Sequence, residues 1–121
     1  MLFIEDDKVY LTRGDDAVLQ VALNGESEPY VMQTGDVLSL TVRELPTADS
    51  PVLFVIKSLT ERIVIRHEDT KDVPPGQYSA DVQLITADGK RFTVWPMLKG
   101  NARKSVSNWR NLTIMPEVAV E

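Results

Sequence analysis

The stretch Asp69-Thr70-Lys71-Asp72-Val73-Pro74-Pro75-Gly76-Gln77-Tyr78-Ser79-Ala80-Asp81-Val82-Gln83-Leu84-Ile85-Thr86-Ala87-Asp88-Gly89-Lys90-Arg91-Phe92-Thr93-Val94 decides how the rest of the chain is read. Within it Tyr78, Ala80, Val82 and Leu84 alternate with Gln77, Ser79, Asp81 and Gln83. A period of two sends successive side chains to opposite faces, so this is a strand with one dry and one wet face. Val73-Pro74-Pro75-Gly76 ends anything helical before it, because proline supplies no N–H and Gly76 tolerates angles that other residues avoid. Ala87-Asp88-Gly89-Lys90 then reverses the chain into Phe92 and Val94, and Asp-Gly is a strong hairpin signal. Tyr78, Gly76 and Gly89 are the residues expected to define the fold.

Toward the N-terminus, Arg62-Ile63-Val64-Ile65-Arg66 reads as a strand and His67-Glu68-Asp69-Thr70 as one helical turn. Val52 to Ile56 is apolar on both faces, as in a strand covered on both sides or one that contacts another subunit. Pro46 to Pro51 is loop. Gly35-Asp36 opens a strand from Val37 to Arg43 with Leu38, Leu40 and Val42 inward. Tyr30-Val31-Met32 reads as a short edge strand, and Asn24-Gly25 as a turn. Ala17 to Leu23 alternates, with Leu19, Val21 and Leu23 on one side. It follows a first strand, Lys8-Val9-Tyr10-Leu11, and a turn at Arg13-Gly14-Asp15-Asp16. Toward the C-terminus, Lys99 to Asn108 is a polar loop, and Asn111 to Val120 closes with a strand carrying Leu112 and Ile114, bent at Pro116.

About seven to nine strands at spacings of about ten residues, with no helix beyond a turn, mean an all-β sandwich or barrel. The expectation is one domain over residues 1–121. A corner, a tyrosine and an amphipathic strand in that order are similar to the tyrosine corner of immunoglobulin-like sandwiches, although the cysteine that follows in antibody domains is absent. The expected fold is therefore a single immunoglobulin-like antiparallel β-sandwich.

Composition narrows the function classes. The chain has 121 residues, 43% apolar and 26% charged, which are those of an ordinary globule able to bury one core. It has no cysteine, so a disulfide framework, a thiolate metal site and a cysteine nucleophile are all excluded. Synthesis inside a cell is the expectation. Met1-Leu2-Phe3-Ile4 is cut off by Glu5-Asp6-Asp7, so no secretion signal and no membrane segment are expected. The net charge of −5 is concentrated early: residues 1 to 28 carry seven acids against Lys8 and Arg13. From Met97 to Pro116 the only charges are Lys99, Arg103, Lys104 and Arg110. Such runs are ordinary solvated surface, or two surfaces that meet between subunits.

Several motifs carry little chemistry. Arg13-Gly14-Asp15 matches an adhesion tripeptide, but Gly-Asp before a strand is also plain turn chemistry. His67 is the only histidine, with no imidazole or thiolate to complete a metal site or a catalytic pair. The acid pairs Asp6-Asp7 and Asp15-Asp16 lack the spaced loop of calcium sites. Ser105 and Ser107 sit on no nucleophile elbow, and no glycine-rich phosphate loop is present. Asn111-Leu112-Thr113 matches a glycosylation acceptor but falls within a strand. No catalytic residue, cofactor or metal is expected. Trp95 and Trp109 flank the late basic loop and fit either the core, a sugar-stacking platform or an interface anchored beside arginine. Four bases on a chain of pI near 4.9 are a poor footprint for nucleic acid.

In order, Val9 to Asp16, then Tyr30 with Gly35-Asp36-Val37-Leu38, then Glu68-Asp69-Thr70, then Pro75 to Leu84 with Asp88-Gly89, resemble small immunoglobulin-like structural domains of tailed bacteriophages and prophages of Gram-positive bacteria. The N-terminal domain of baseplate upper proteins is of this kind. The resemblance implies a non-catalytic virion protein of the baseplate, tail, neck or head, made in the bacterial cytoplasm. Its partners would be other virion proteins or further copies of itself, not nucleic acid or membrane. In baseplate proteins a coiled coil follows this kind of domain. A chain ending at Glu121 is expected to serve equally as a separate decoration of head, neck or tail tube. The residues expected at the interface are Val52, Phe54 and Ile56 with Arg103, Trp109 and Arg110. The alternative is a carbohydrate-binding or adhesion module of a bacterial surface protein, with Trp95, Trp109 and Tyr30 as its stacking surface.

Overall fold

The computed structural model describes residues 2–5, 8–23, 28–47, 49–96 and 110–117. Its strands are β1 (Leu2–Glu5), β2 (Lys8–Thr12), β3 (Ala17–Gln20), β4 (Val37–Arg43), β5 (Val52–Ser58), β6 (Arg62–Ile65), β7 (Gly76–Ile85), β8 (Arg91–Trp95) and β9 (Leu112–Met115), with one helical turn, α1 (His67–Thr70). The larger sheet runs β1-β2-β9-β7-β4-β5, and β8 also pairs with β7; a second sheet pairs β3 with β6. All pairings are antiparallel except β2 with β9, where Val9 lies beside Leu112. The chain is an all-β sandwich.

The period-two reading of β7 holds: Tyr78, Ala80, Val82 and Leu84 are all buried. Leu38, Leu40 and Val42 of β4 join them, as do Leu112 and Ile114 of β9 and Leu19, Ile63 and Ile65 from the smaller sheet. The opposite face is not uniformly wet, since Ser39 and Ser79 are buried too. Ser39 lies between Lys57 and Gln83, and Ser79 beside Arg43, so longer side chains close over the short hydroxyls.

The corner before β7 is held by one local hydrogen bond and two that reach back to the turn after β2. The Tyr78 hydroxyl donates to the Pro74 carbonyl, back across the double-proline bend. One turn earlier the His67 N–H, an orphan donor at the start of α1, is accepted by Asp16 Oδ1 at 2.7 Å. Thr70 is fully buried, and its Oγ1 accepts the Gly14 N–H at 2.8 Å. Removing the phenol alone tests the corner: Tyr78→Phe keeps the packed ring but is expected to cost about 1 kcal/mol, read as a lower urea midpoint at unchanged slope.

Two elements differ from the sequence reading. Leu2–Glu5 forms β1, an added edge strand on β2. Tyr30-Val31-Met32 is not a strand. Asp36, which is buried, draws this segment into a closed loop by accepting the Tyr30 hydroxyl and the Gln33 N–H, while Gln33 Nε2 donates to the Val31 carbonyl. The Tyr30 backbone N–H donates to the Leu23 carbonyl at 3.0 Å, and the Val31 carbonyl is taken by the Gln33 side chain. The expected Asn24-Gly25 turn and Lys99–Asn108 loop lie outside the described residues.

Candidate functional site

Among the described residues, the strand β5 has β4 on one side and no strand on the other. Its register is Leu40 with Ile56, Thr41 with Val55 and Val42 with Phe54, and a bulge near Arg43 brings Val52 opposite that residue. Phe54 and Ile56 thus inherit the inward face of Leu40 and Val42 and pack partly against the core. Val55 takes the outward face. Exposure reaches 46% at Val52, 36% at Leu53 and 47% at Val55, and 74% at Leu59 just beyond the strand. Leu45, at the other end of the hairpin, is exposed as well. Val52, Leu53 and Val55 are therefore exposed on a strand that, among the described residues, has no strand paired on its far side. Natural proteins usually blunt such an edge with charge or proline. Between Val52 and Ser58 only Lys57 does so.

Of the expected interface residues Val52, Phe54 and Ile56, Val52 is exposed and the other two are half-buried; the other exposed apolar residues here are Leu53, Val55 and Leu59. The parity of Leu38, Leu40 and Val42 was the available signal, because it sends their partners in a hairpin inward and leaves the intervening residues outside. Arg110 lies two positions before β9 and donates to the Gln77 carbonyl at 3.3 Å. Three strand spacings, about 14 Å, separate β9 from β5, so Arg110 does not share the edge. Arg103 and Trp109 lie outside the described residues. Trp95 is partly buried against the core, opposite Val82.

The remaining motif residues are engaged in holding turns. Arg13 pairs with Glu117 at 3.1 Å and the Gly14 N–H is bound by Thr70, so the Arg-Gly-Asp tripeptide ties β2 to the α1 corner. His67 is exposed, with Nδ1 at 3.5 Å from Asp16. The His67 backbone N–H is the main reason that the Asp16 carboxyl is held below its usual value. Asp6-Asp7 lies outside the described residues. Among the described residues no group of three or more His, Asp or Glu side chains is placed to hold a metal ion. No described helix is long and apolar enough to cross a membrane. Asn111 has both amide atoms committed to Ala80, at 2.8 and 2.9 Å, and is buried, so its nitrogen is closed to a sugar.

Asp36 titrates with a definite sign. Its carboxyl is held below the ordinary value, first by the Tyr30 hydroxyl and then by the Gln33 N–H; burial opposes them, and the Ala87 N–H adds the least. A depressed carboxyl contributes stability that is complete above the unfolded value and is lost as pH falls through the folded one. Asp36→Asn is expected to be less stable than wild type at neutral pH, and the two curves should converge below about pH 4. Thermal unfolding of both proteins across pH 2 to 7 checks this.

No protein-family model matches the chain, and none of the curated proteins is similar to it.

Proposed function

We propose that this is a structural protein of a tailed phage or prophage virion, belonging to baseplate, tail, neck or head, that works by protein–protein assembly and not by catalysis. One observation carries the reading: a seven-residue edge strand with Val52, Leu53 and Val55 exposed beside Leu59. An apolar strand edge offers main-chain hydrogen bonds and side-chain contact together, which is how β-sheet modules add partners. The resemblance of the Pro75–Leu84 corner and its flanking motifs to phage immunoglobulin-like domains supplies the setting. A sugar platform would need stacked exposed aromatic faces, whereas Trp95 is packed against the core and the Tyr30 hydroxyl is spent on Asp36.

Immunogold labelling with antibody against this chain tests the reading. Purified phage particles from the producing strain are expected to carry label at one fixed station. Particles without label, from cells that make the protein, would overturn it.

A further inference from the structure

We infer that Asp88-Gly89 is the site at which this chain forms isoaspartate, and that Thr86 sets how slowly it does so. The pair is the only Asp-Gly in the sequence. The reaction is an attack by the following amide nitrogen on the aspartate side chain, and glycine leaves that nitrogen the least crowded. Asp88 has 64% of its side chain exposed, and a Cβ added at Gly89 would meet nothing within 4 Å. The Gly89 nitrogen bonds to Asp88 Cγ, the Cγ–OH bond breaks, and the hydroxyl leaves with the amide proton as water. Water then opens the resulting succinimide at one of its two carbonyls. Opening at Cγ restores aspartate, whereas opening at the backbone carbon leaves the chain running through Cγ. Nothing is oxidised or reduced, and the water lost is regained.

Both reacting groups are held by one residue. The Thr86 hydroxyl donates to Asp88 Oδ1, and the Thr86 carbonyl accepts the Gly89 N–H at 2.9 Å. The hydroxyl is itself placed by the Lys90 N–H at 3.1 Å, and the Thr86 N–H closes the turn on the Lys90 carbonyl at 2.8 Å. Ring closure needs the carboxyl to turn from the hydroxyl toward the Gly89 nitrogen. It also needs that nitrogen to release the proton it shares with the Thr86 carbonyl. Each contact is present in the starting state and lost on the way to the ring, so each raises the barrier. Loss of one such hydrogen bond is worth about a fivefold change in rate. The product carries an extra methylene in the backbone of the turn, next to Ala87, whose N–H is bound by Asp36 at 3.2 Å.

Ageing the full chain in mildly acidic buffer tests this, with Thr86→Val, Thr86→Ser and Tyr78→Phe beside wild type and a synthetic peptide of residues 84–92 as the unrestrained reference. Isoaspartate is quantified by enzymatic methylation and located by fragmenting the tryptic peptide Asp72–Lys90. The conversion leaves the mass unchanged, which separates it from deamidation at Asn24-Gly25. The free peptide is expected to react faster than wild type. Thr86→Val keeps the branched shape without the hydroxyl and is expected to gain about fivefold over wild type at Asp88, while Thr86→Ser stays within about twofold. Tyr78→Phe loosens the protein at a different corner and is expected to age as wild type does, so a gain confined to Thr86→Val is not general loosening. A Thr86→Val protein that forms no more isoaspartate at Asp88 than wild type, or no more than Tyr78→Phe, overturns the role of Thr86. A wild type that keeps pace with the peptide overturns it too. Another aspartate that reacts ahead of Asp88 overturns the site.

Discussion

Asn111→Ala is expected to destabilise the protein by about 2–5 kcal/mol, a large share of the 5–15 kcal/mol typical of a domain. The cause lies in how the edge of β7 away from β4 is filled. Residues 76–78 pair with β9 and residues 82–85 with β8, leaving a gap between the two. The Asn111 side chain closes it: Oδ1 accepts the Ala80 N–H and Nδ2 donates to the Ala80 carbonyl, so one amide stands in for a strand residue. Truncation would leave a buried donor and a buried acceptor unpaired, at about 1–3 kcal/mol each. Chemical denaturation gives the magnitude. Asn111→Asp sharpens the test, since an ionised carboxylate accepts from Ala80 but cannot donate. Acid should restore part of its loss as the carboxyl gains a proton to donate. A loss of under 0.5 kcal/mol in Asn111→Ala would show that the gap does not need the side chain.

Gly35→Ala comes next, at about 2–4 kcal/mol. Gly35 sits at φ +94°, where a Cβ costs about 1–2 kcal/mol by itself. The added methyl would also stand 2.7 Å from the Ala87 Cβ, closer than carbon atoms approach without displacement. Relief would have to move the Thr86–Lys90 turn, which is bound at both ends by its own backbone hydrogen bonds, or break the contact of Ala87 N–H with Asp36 at 3.2 Å. The companion Ala87→Gly separates the terms. In the double variant the collision is gone and the φ penalty remains, so a recovery of about 1–3 kcal/mol relative to Gly35→Ala, after subtracting the effect of Ala87→Gly alone, identifies the steric part. No recovery would assign the whole loss to the backbone.

The sandwich was legible where sequence and tertiary environment ask for the same thing. β7 alternates because one of its faces is buried, and the Asp88-Gly89 pair turns because Gly89 adopts φ +89°. The one-turn helix at His67–Thr70 was readable from its polar run after a strand. Tyr30-Val31-Met32 misled because β propensity describes fit to a sheet, and Asp36 offered that segment a stronger local closure. The Asn111-Leu112-Thr113 match could be set aside from the sequence because it falls within a strand, but the role of Asn111 was not legible, since its partner Ala80 is 31 residues away. The candidate edge was half legible. An apolar run with both parities filled marks Val52–Ile56, but its place at the outside of the sheet follows only once β7 has taken the other side of β4.

The parallel pairing of β2 with β9 has a consequence for how the protein is made. Val9 and Leu112 are neighbours, so the innermost rows of the sheet join residues about a hundred positions apart in the chain. A ribosome adding about 5–20 residues each second would leave Val9 and Leu11 waiting on the order of 5–20 s for the strand that shelters them. Throughout that interval the nascent sheet ends in a bare seam, and it is then that the cell's chaperones would meet it.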